Sequence, residues 1–489
     1  MICSERRKKG TDSSVHSHAG KRSQRLPGGD RVVCPLFLLL CALAFTLTAA
    51  DDPDGTTPLH WAVRANDIDA AQRLIRAGAN PDAANRYGVT PLSLAAENAS
   101  APMIQRLLQA GAHPTNAILM TAARTGNAEV VRMLLARGAD ANARENSLGE
   151  TALMWAAAEN HPEAVRALIE HGADPNVRSD KLVYPKDRFG LEGVTTILPH
   201  GDWTALMYAG RQGSLEAART LAEMGADLNL VDPDGTTALE FAILNGHFDA
   251  AAALVEKGAD PNIADSTGMA ALYAAVDMST LGEIYGRPGR KSTDKLTAVD
   301  LLPILLAHGA DPNATLKAPT LTRAHTPGEP SLGEGTTPLM RAAKNGDVAA
   351  MRDLMAHGAN AGLKQKTGTT ALMLAAGVGR GTGVFAKDYA TEAQLLEAVK
   401  FLVELGPAAG VDINAVNNTG QTALHIAAQA SDGIVKYLAE HGANLEAKDK
   451  QGRTPLDAAM GVGMRARIGG EPTMRESTAA LLRQLMSSR

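Results

Sequence analysis

Aromatic side chains are scarce, at 3% of the residues. A single large globular core usually needs more bulk. At 489 residues the chain is long enough for such a core, so the shortage favours many small helices packed closely through alanine and glycine. Cysteine is nearly absent: Cys3, Cys34 and Cys41 are the only three, all within the first 50 residues. From residue 51 onward this excludes a disulfide, a thiolate nucleophile and a cysteine-ligated zinc. Excess basic charge is missing too. Residues 1–50 carry eight Lys/Arg and three Asp/Glu, and the chain total of −5 leaves −10 on residues 51–489. An acidic body argues against nucleic-acid binding, which needs a basic face to neutralise phosphates. No apolar run reaches the ~20 residues of a membrane span; the run Pro35–Leu47 has 13.

That short run has a context. Arg6, Arg7, Lys8 and Lys9 lie early and Arg31 just before it, and Thr48-Ala49-Ala50 follows, ahead of Asp51-Asp52. A basic region, a short apolar core and a small-residue exit form the pattern of a secretory signal peptide. Residues 1–50 are therefore expected to be a signal peptide and the protein secreted or periplasmic. The alternatives are a membrane anchor through residues 35–48, and a cytosolic regulator if the true start lies further along.

Self-similarity decides the reading of the remainder. A leucine after Thr-Pro, Thr-Ala or a close variant recurs at Leu59, Leu92, Leu119, Leu153, Leu206, Leu239, Leu272, Leu339, Leu372, Leu424 and Leu456. Six of the ten spacings are 32 to 34 residues, one is 27, and three are longer at 53, 67 and 52. A second signature closes most units, as in Ala77-Gly-Ala-Asn80, His171-Gly-Ala-Asp174, Lys257-Gly-Ala-Asp260, His308-Gly-Ala-Asp311 and His441-Gly-Ala-Asn444.

An opening T-P-L-H-x-A, with Thr57-Pro58-Leu59-His60-Trp61-Ala62 the nearest copy, and a closing G-A-D-x-N resemble the ankyrin repeat. The resemblance spans about residues 54–465. It implies an all-α solenoid of about eleven helix–turn–helix units joined by β-hairpin-like loops, occupying residues 51–465, with 466–489 a C-terminal capping helix. The residues suit that fold. Thr is a good N-cap, Pro loses nothing in a first helical turn, and Ala95-Ala96, Ala156-Ala157, Ala375-Ala376 and Ala427-Ala428 allow close helix approach. Gly138, Gly172 and Gly258 suit left-handed caps. No unit buries its own apolar face, so stability comes from stacking.

Most candidate chemistry is absorbed by the repeat. His171, His308, His357 and His441 share one place before a helix-ending glycine, where the helix dipole favours a cation; no metal site is expected. Asp51–Gly55 and Asp232–Gly235 resemble pieces of a calcium loop but lack the later glutamate of an EF-hand, and they fall where a turn is needed. Ser292-x-x-Lys295 has no partner motif. No catalytic set emerges, no enzyme activity is expected, and no cofactor is implied. The resemblance gives His60 and His425 a backbone-bonding role. Trp61, Trp155, Tyr208 and Phe241, at the following place, are expected in the core, with partial exposure on the concave face as the alternative.

Four interruptions remain, near 178–200, 276–296, 314–334 and 377–392. They gather aromatics and cations, the usual material of binding hot spots. Tyr184, Arg188, Phe189, Tyr285, Arg287, Arg290, Lys291, Phe385, Lys387 and Tyr389 are therefore the expected partner-binding residues. The second and fourth interruptions share an edge two repeats apart and could clamp a partner together. The reading is a monomeric scaffold that binds a protein, not nucleic acid, through its concave face and loops, touching a membrane only if the leader is uncleaved. The opposing class is a small-molecule receptor or enzyme with a site built from the insertions.

Overall fold

The computed structural model describes residues 52–183, 190–191, 194–195, 200–280, 294–320, 331–377, 390–462 and 474–488. Among them are 22 α-helices in eleven consecutive pairs. The first helices of the pairs are α1 (Pro58–Arg64), α3 (Pro91–Glu97), α5 (Asn116–Thr125), α7 (Ala152–Ala158), α9 (Ala205–Gln212), α11 (Ala238–Leu244), α13 (Ala271–Thr280), α15 (Pro338–Lys344), α17 (Ala371–Ala375), α19 (Ala423–Ala427) and α21 (Pro455–Ala459). The second helices are α2 (Ile68–Arg76), α4 (Ala101–Gln109), α6 (Ala128–Ala136), α8 (Pro162–Glu170), α10 (Leu215–Glu223), α12 (Phe248–Glu256), α14 (Ala298–Ala307), α16 (Val348–Ala356), α18 (Glu392–Leu405), α20 (Asp432–Glu440) and α22 (Glu476–Ser487). Each first helix packs on the next first helix and each second helix on the next second helix, which makes two continuous layers. Two short strands, β1 (Gly190–Leu191) and β2 (Val194–Thr195), pair antiparallel within the first interruption.

The opening motif does what its chemistry allows. Thr90, Thr151, Thr204, Thr237, Thr337, Thr370 and Thr422 each cap a first helix by accepting the N–H three residues on, satisfying a donor the helix leaves orphaned. The paired alanines 95/96, 156/157, 375/376 and 427/428 are fully buried between layers, where a larger side chain would push neighbouring helices apart. Leu59, Leu92, Leu119, Leu153, Leu206 and Leu239 are buried with them. Two glycines show two different needs. Gly172 has φ 90° and open space where a Cβ would lie, so its backbone requires glycine; Gly210 has helical backbone, but a Cβ there would sit 2.4 Å from the Ala238 carbonyl oxygen.

The closing signature is a staple between units. The Asn262 side chain donates to the Gly309 carbonyl at 2.8 Å and accepts the Asp311 N–H at 2.7 Å. Asn313 repeats this with Gly358 and Asn360, at 3.0 and 2.8 Å, and Asn142 with Gly172 and Asp174. Each asparagine thus uses both ends of its amide on backbone groups of the next unit, which is why that place is not simply polar.

Two boundaries differ from the sequence reading. Helix α13 runs to Thr280 with Val276 fully buried, so the second interruption begins later than residue 276: the apolar helical face outlasts the recognisable motif. At the C-terminus the helix starts at Glu476 and packs on both α21 and α20, so it is the second helix of the eleventh pair as well as the end of the stack. No helix of the described residues is long and apolar enough to cross a membrane.

Candidate functional site

The face formed by the first helices is not uniform along the array. At the place after the motif's histidine, Trp61 is 51% exposed, Trp155 and Tyr208 are half-buried, and Phe241 is buried. Further on, Ala274, Arg341, Leu374 and Ile426 at the same place are all buried. Core packing, the expectation for all four aromatics, therefore holds for Phe241 and fails outright for Trp61. The reason is positional: Trp61 lies on the first unit, where its Nε1–H donates to Asp52 at 3.0 Å and Arg64 stacks 5.8 Å from its ring. Accessible aromatic surface on this face is thus concentrated in the first five units, alongside the exposed Arg64 and Arg124.

The ten residues assigned to partner binding lie outside the described residues. The described parts of the interruptions are their necks, and these are well tied. At the first neck, Lys181 bridges Gly201 and the Leu182 N–H donates to His200 at 2.6 Å. Arg178 crosses beneath it, donating to the Asp202 and Val231 carbonyls at 3.0 and 2.8 Å. At the second, the Asp249 carboxylate accepts from both Lys295 and Leu296 N–H at 3.0 Å, and Ser279 donates to Asp347 at 2.9 Å. The third is closed by Leu316 and Gly335 pairing with Thr336 and Leu316 carbonyls, over buried Leu316 and Leu332. The fourth returns to the array through Thr391, which caps α18 in a reciprocal box with Gln394. Each interruption therefore leaves and re-enters without disturbing the stack.

A residue not singled out in the sequence organises the first neck. Trp203 is buried and packs edge-on against Tyr208 at 5.4 Å and Phe241 at 5.0 Å. Arg211 lies 4.9 Å over its ring, and its indole N–H reaches Asp232 at 3.3 Å. Tyr208 donates to Glu150 at 2.7 Å, and burial first, then that carboxylate, push the phenol above its usual range. A tryptophan immediately before Thr204 breaks the repeat pattern and was the available signal for this cluster.

The histidines and acidic turns prove structural in their contacts. His171, His308, His357 and His441 each follow a second helix and place Nδ1 2.8 Å from the carbonyl four residues earlier, using one of the acceptors that a helix end leaves open. Asp232 Oδ1 accepts the Asp234 and Thr236 N–H groups at 3.0 and 2.9 Å, as a turn-forming aspartate does. Glu145 plays the same part in a wider turn. Partial burial pushes its carboxyl up, but the Ser147 hydroxyl and the N–H groups of Ser147, Leu148 and Glu150 prevail and hold it at about 2.

His60 and His425 place Nε2 3.0 Å from the Val89 and Arg453 carbonyls of the next unit. In buried His425, Nδ1 accepts the Thr422 N–H at 3.2 Å, so Nε2 carries the proton. Burial lowers its pKa below 6.5, against the pull of the Arg453 carbonyl and Asp449. The unfolded chain then binds a proton more readily, so this contribution to stability is complete above about pH 6.5 and is lost as pH falls through the lower folded value. The urea midpoint is expected to drop between pH 7 and pH 5, and to drop less in His425→Met, methionine being the residue at this place in five other units (Met120, Met154, Met207, Met340, Met373). An equal drop in both proteins would assign the pH dependence elsewhere.

The family model for ankyrin repeats matches residues 34–118, 102–179, 188–265, 295–384 and 388–465. The chain belongs to the ankyrin-repeat family. Among solved structures, the ankyrin repeat domain of human ASB11 is 24% identical over 57% of this chain and 96% of that one, with a TM-score of 0.38. Proteins of this family are generally protein–protein interaction modules and typically non-enzymatic scaffolds.

Proposed function

We propose that this protein is a non-catalytic scaffold that holds a protein partner on the concave face of its first five units and between its inserted loops. The observation that carries the reading is the gradient along the first-helix face, open and aromatic at Trp61, Trp155 and Tyr208 and buried from Phe241 onward. Exposed aromatics beside arginines supply large contact area at low entropy cost, the composition of interface hot spots. The inserted loops are proposed to add a second contact: their aromatics and arginines would clamp the partner from the edge shared by the second and fourth interruptions. The chain is proposed to act outside the cytoplasm after loss of residues 1–50, and a mature N-terminus near Asp51 would support that.

A pull-down from the exported fraction should return one stoichiometric protein. Trp155→Ala, with its half-buried ring, and the charge reversal Arg287→Glu with Arg290→Glu should each weaken that capture at least about tenfold. Capture unchanged by either would remove the concave face and the clamp together. A thermal shift with a metabolite in place of a protein partner would favour a small-molecule receptor.

A further inference from the structure

The turns that project between units are joined by a regular backbone ladder. In each, the second turn residue donates its N–H to the carbonyl of the residue before the glycine in the preceding turn. Seven such rungs are present among the described residues: Arg86 to Asp54 (2.8 Å), Asp180 to Leu148 (2.7 Å), Ser266 to Asp234 (2.8 Å), Lys317 to Thr267 (2.7 Å), Lys366 to Glu334 (2.9 Å), Asn418 to Thr367 (2.8 Å) and Lys450 to Thr419 (3.0 Å). Where the donor place is Pro233, the crossing is made instead by His200 on Asp234 at 3.0 Å.

The ladder is interrupted once more, and there no turn-to-turn hydrogen bond crosses among the described residues. Helix α4 ends at Gln109 and α5 begins at Asn116, so six residues, 110–115, connect them, against the fourteen of 77–90 between α2 and α3. This is the physical content of the single 27-residue spacing: the unit keeps both helices and loses its projecting turn. By the spacing of stacked helices, the missing turn leaves a notch roughly 10 Å wide. Its walls are the turns 85–88 and 145–149. Among the described residues, the Tyr87 carbonyl on one wall accepts no hydrogen bond and the Asn146 N–H on the other donates none. These are the acceptor and donor that the absent turn would have used. Apolar surface flanks the same gap. Tyr87 is 66% exposed, with Arg86 stacked 4.8 Å from its ring, and Leu148 is 40% exposed. Glu145 preorganises the second wall by accepting the Ser147 N–H at 2.6 Å and the Leu148 and Glu150 N–H groups.

We infer that this notch is a docking site for a tight Asp/Asn-x-x-Gly turn of a partner protein, which completes the ladder by donating to the Tyr87 carbonyl and accepting from the Asn146 N–H. The occupant follows from the geometry of the gap. Both walls are one rung short, in opposite senses, and at six places along the array (52–55, 85–88, 232–235, 265–268, 417–420 and 449–452) the chain itself places such a turn, as at Asp265-Ser266-Thr267-Gly268. Pairing through backbone groups sets orientation, as when an added strand completes a sheet edge, while Tyr87 and Leu148 cover the turn's flanks. The ladder argument does not rest on the first-helix face proposed above, although Tyr208 of that face bonds Glu150 beside the second wall.

The test uses the full chain and a disulfide-cyclised peptide displaying Asp-Ser-Thr-Gly, with a second peptide N-methylated at the serine. The first should bind saturably and slow hydrogen exchange in residues 145–150. N-methylation should weaken binding about tenfold, the worth of one hydrogen bond. Asn146→Pro should do the same, and proline already occupies this turn place at 53 and 233. Trp155→Ala should leave peptide binding unchanged. No saturable binding, or equal binding of the two peptides, overturns the site without any variant having to fold. Self-association of the chain that Asn146→Pro abolishes would give the notch to a second copy and overturn its assignment to a separate partner.

Discussion

Gly210→Ala is expected to uncouple the first five units from the rest of the array. In an isolated helix the change would help, because alanine is favoured over glycine by about 1 kcal/mol. Here the new Cβ would lie 2.4 Å from the Ala238 oxygen and 3.3 Å from its carbonyl carbon. Both are backbone atoms of α11, so no side chain can turn aside and the two helices must separate. Overpacking of this kind costs about 3 kcal/mol, which outweighs the propensity gain. Solenoid stability is a sum of unit and nearest-neighbour terms, so a loss at one interface divides the molecule there. The three tryptophans, Trp61, Trp155 and Trp203, all precede this junction. Tryptophan fluorescence therefore follows the first five units while far-ultraviolet dichroism follows the whole chain. In urea the midpoints of the two probes should move apart in the variant; probes that shift together, or not at all, would show that α11 absorbs the methyl.

Trp203→Ala should have an effect of similar size at the same junction, for the opposite reason. The indole is buried between Tyr208 and Phe241 and anchored to Asp232. Deleting a buried aromatic of this size costs about 3–5 kcal/mol, through lost transfer energy and the cavity left behind. The backbone of Trp203 also pairs with Ser179, both as acceptor of its N–H at 2.9 Å and as donor to its hydroxyl at 3.0 Å. Loss of the ring thus loosens the neck of the first interruption as well as the contact between units. Limited proteolysis should show cleavage between residues 183 and 200 accelerating well before global unfolding. Trp203→Phe should restore much of the stability, since it keeps an aromatic ring between Tyr208 and Phe241 and gives up the indole's second ring and the bond to Asp232. An alanine variant as resistant as the parent would mean that the neck is held by Arg178 and the Lys181–Gly201 bridge alone.

The fold was legible because the repeat writes the same physics eleven times. Thr caps, paired alanines and helix-ending glycines recur at fixed spacing, and each is explained within its own unit. The places where reading failed are those where one residue's environment depends on its position in the stack. Trp61 and Phe241 hold the same place in the motif, yet one is exposed and the other buried. Trp203 belongs to no motif and becomes central only when Phe241 of the next unit closes over it. The ten loop residues chosen for aromatic and cationic character fall outside the described residues, so the interruptions are known here by their necks.

By itself, the sequence determined the family, the number of units and the stacked helix-pair architecture, because all of these follow from local patterns at known spacing. It also carried, unexplained, a single 27-residue interval. Only the tertiary structure decided what that interval means. A missing turn becomes a notch only when the turns on either side are brought into register, and hydrogen bonds between units join residues that no local pattern relates. The same holds for the gradient of exposure along the first-helix face: what a side chain meets there is set by the neighbouring units.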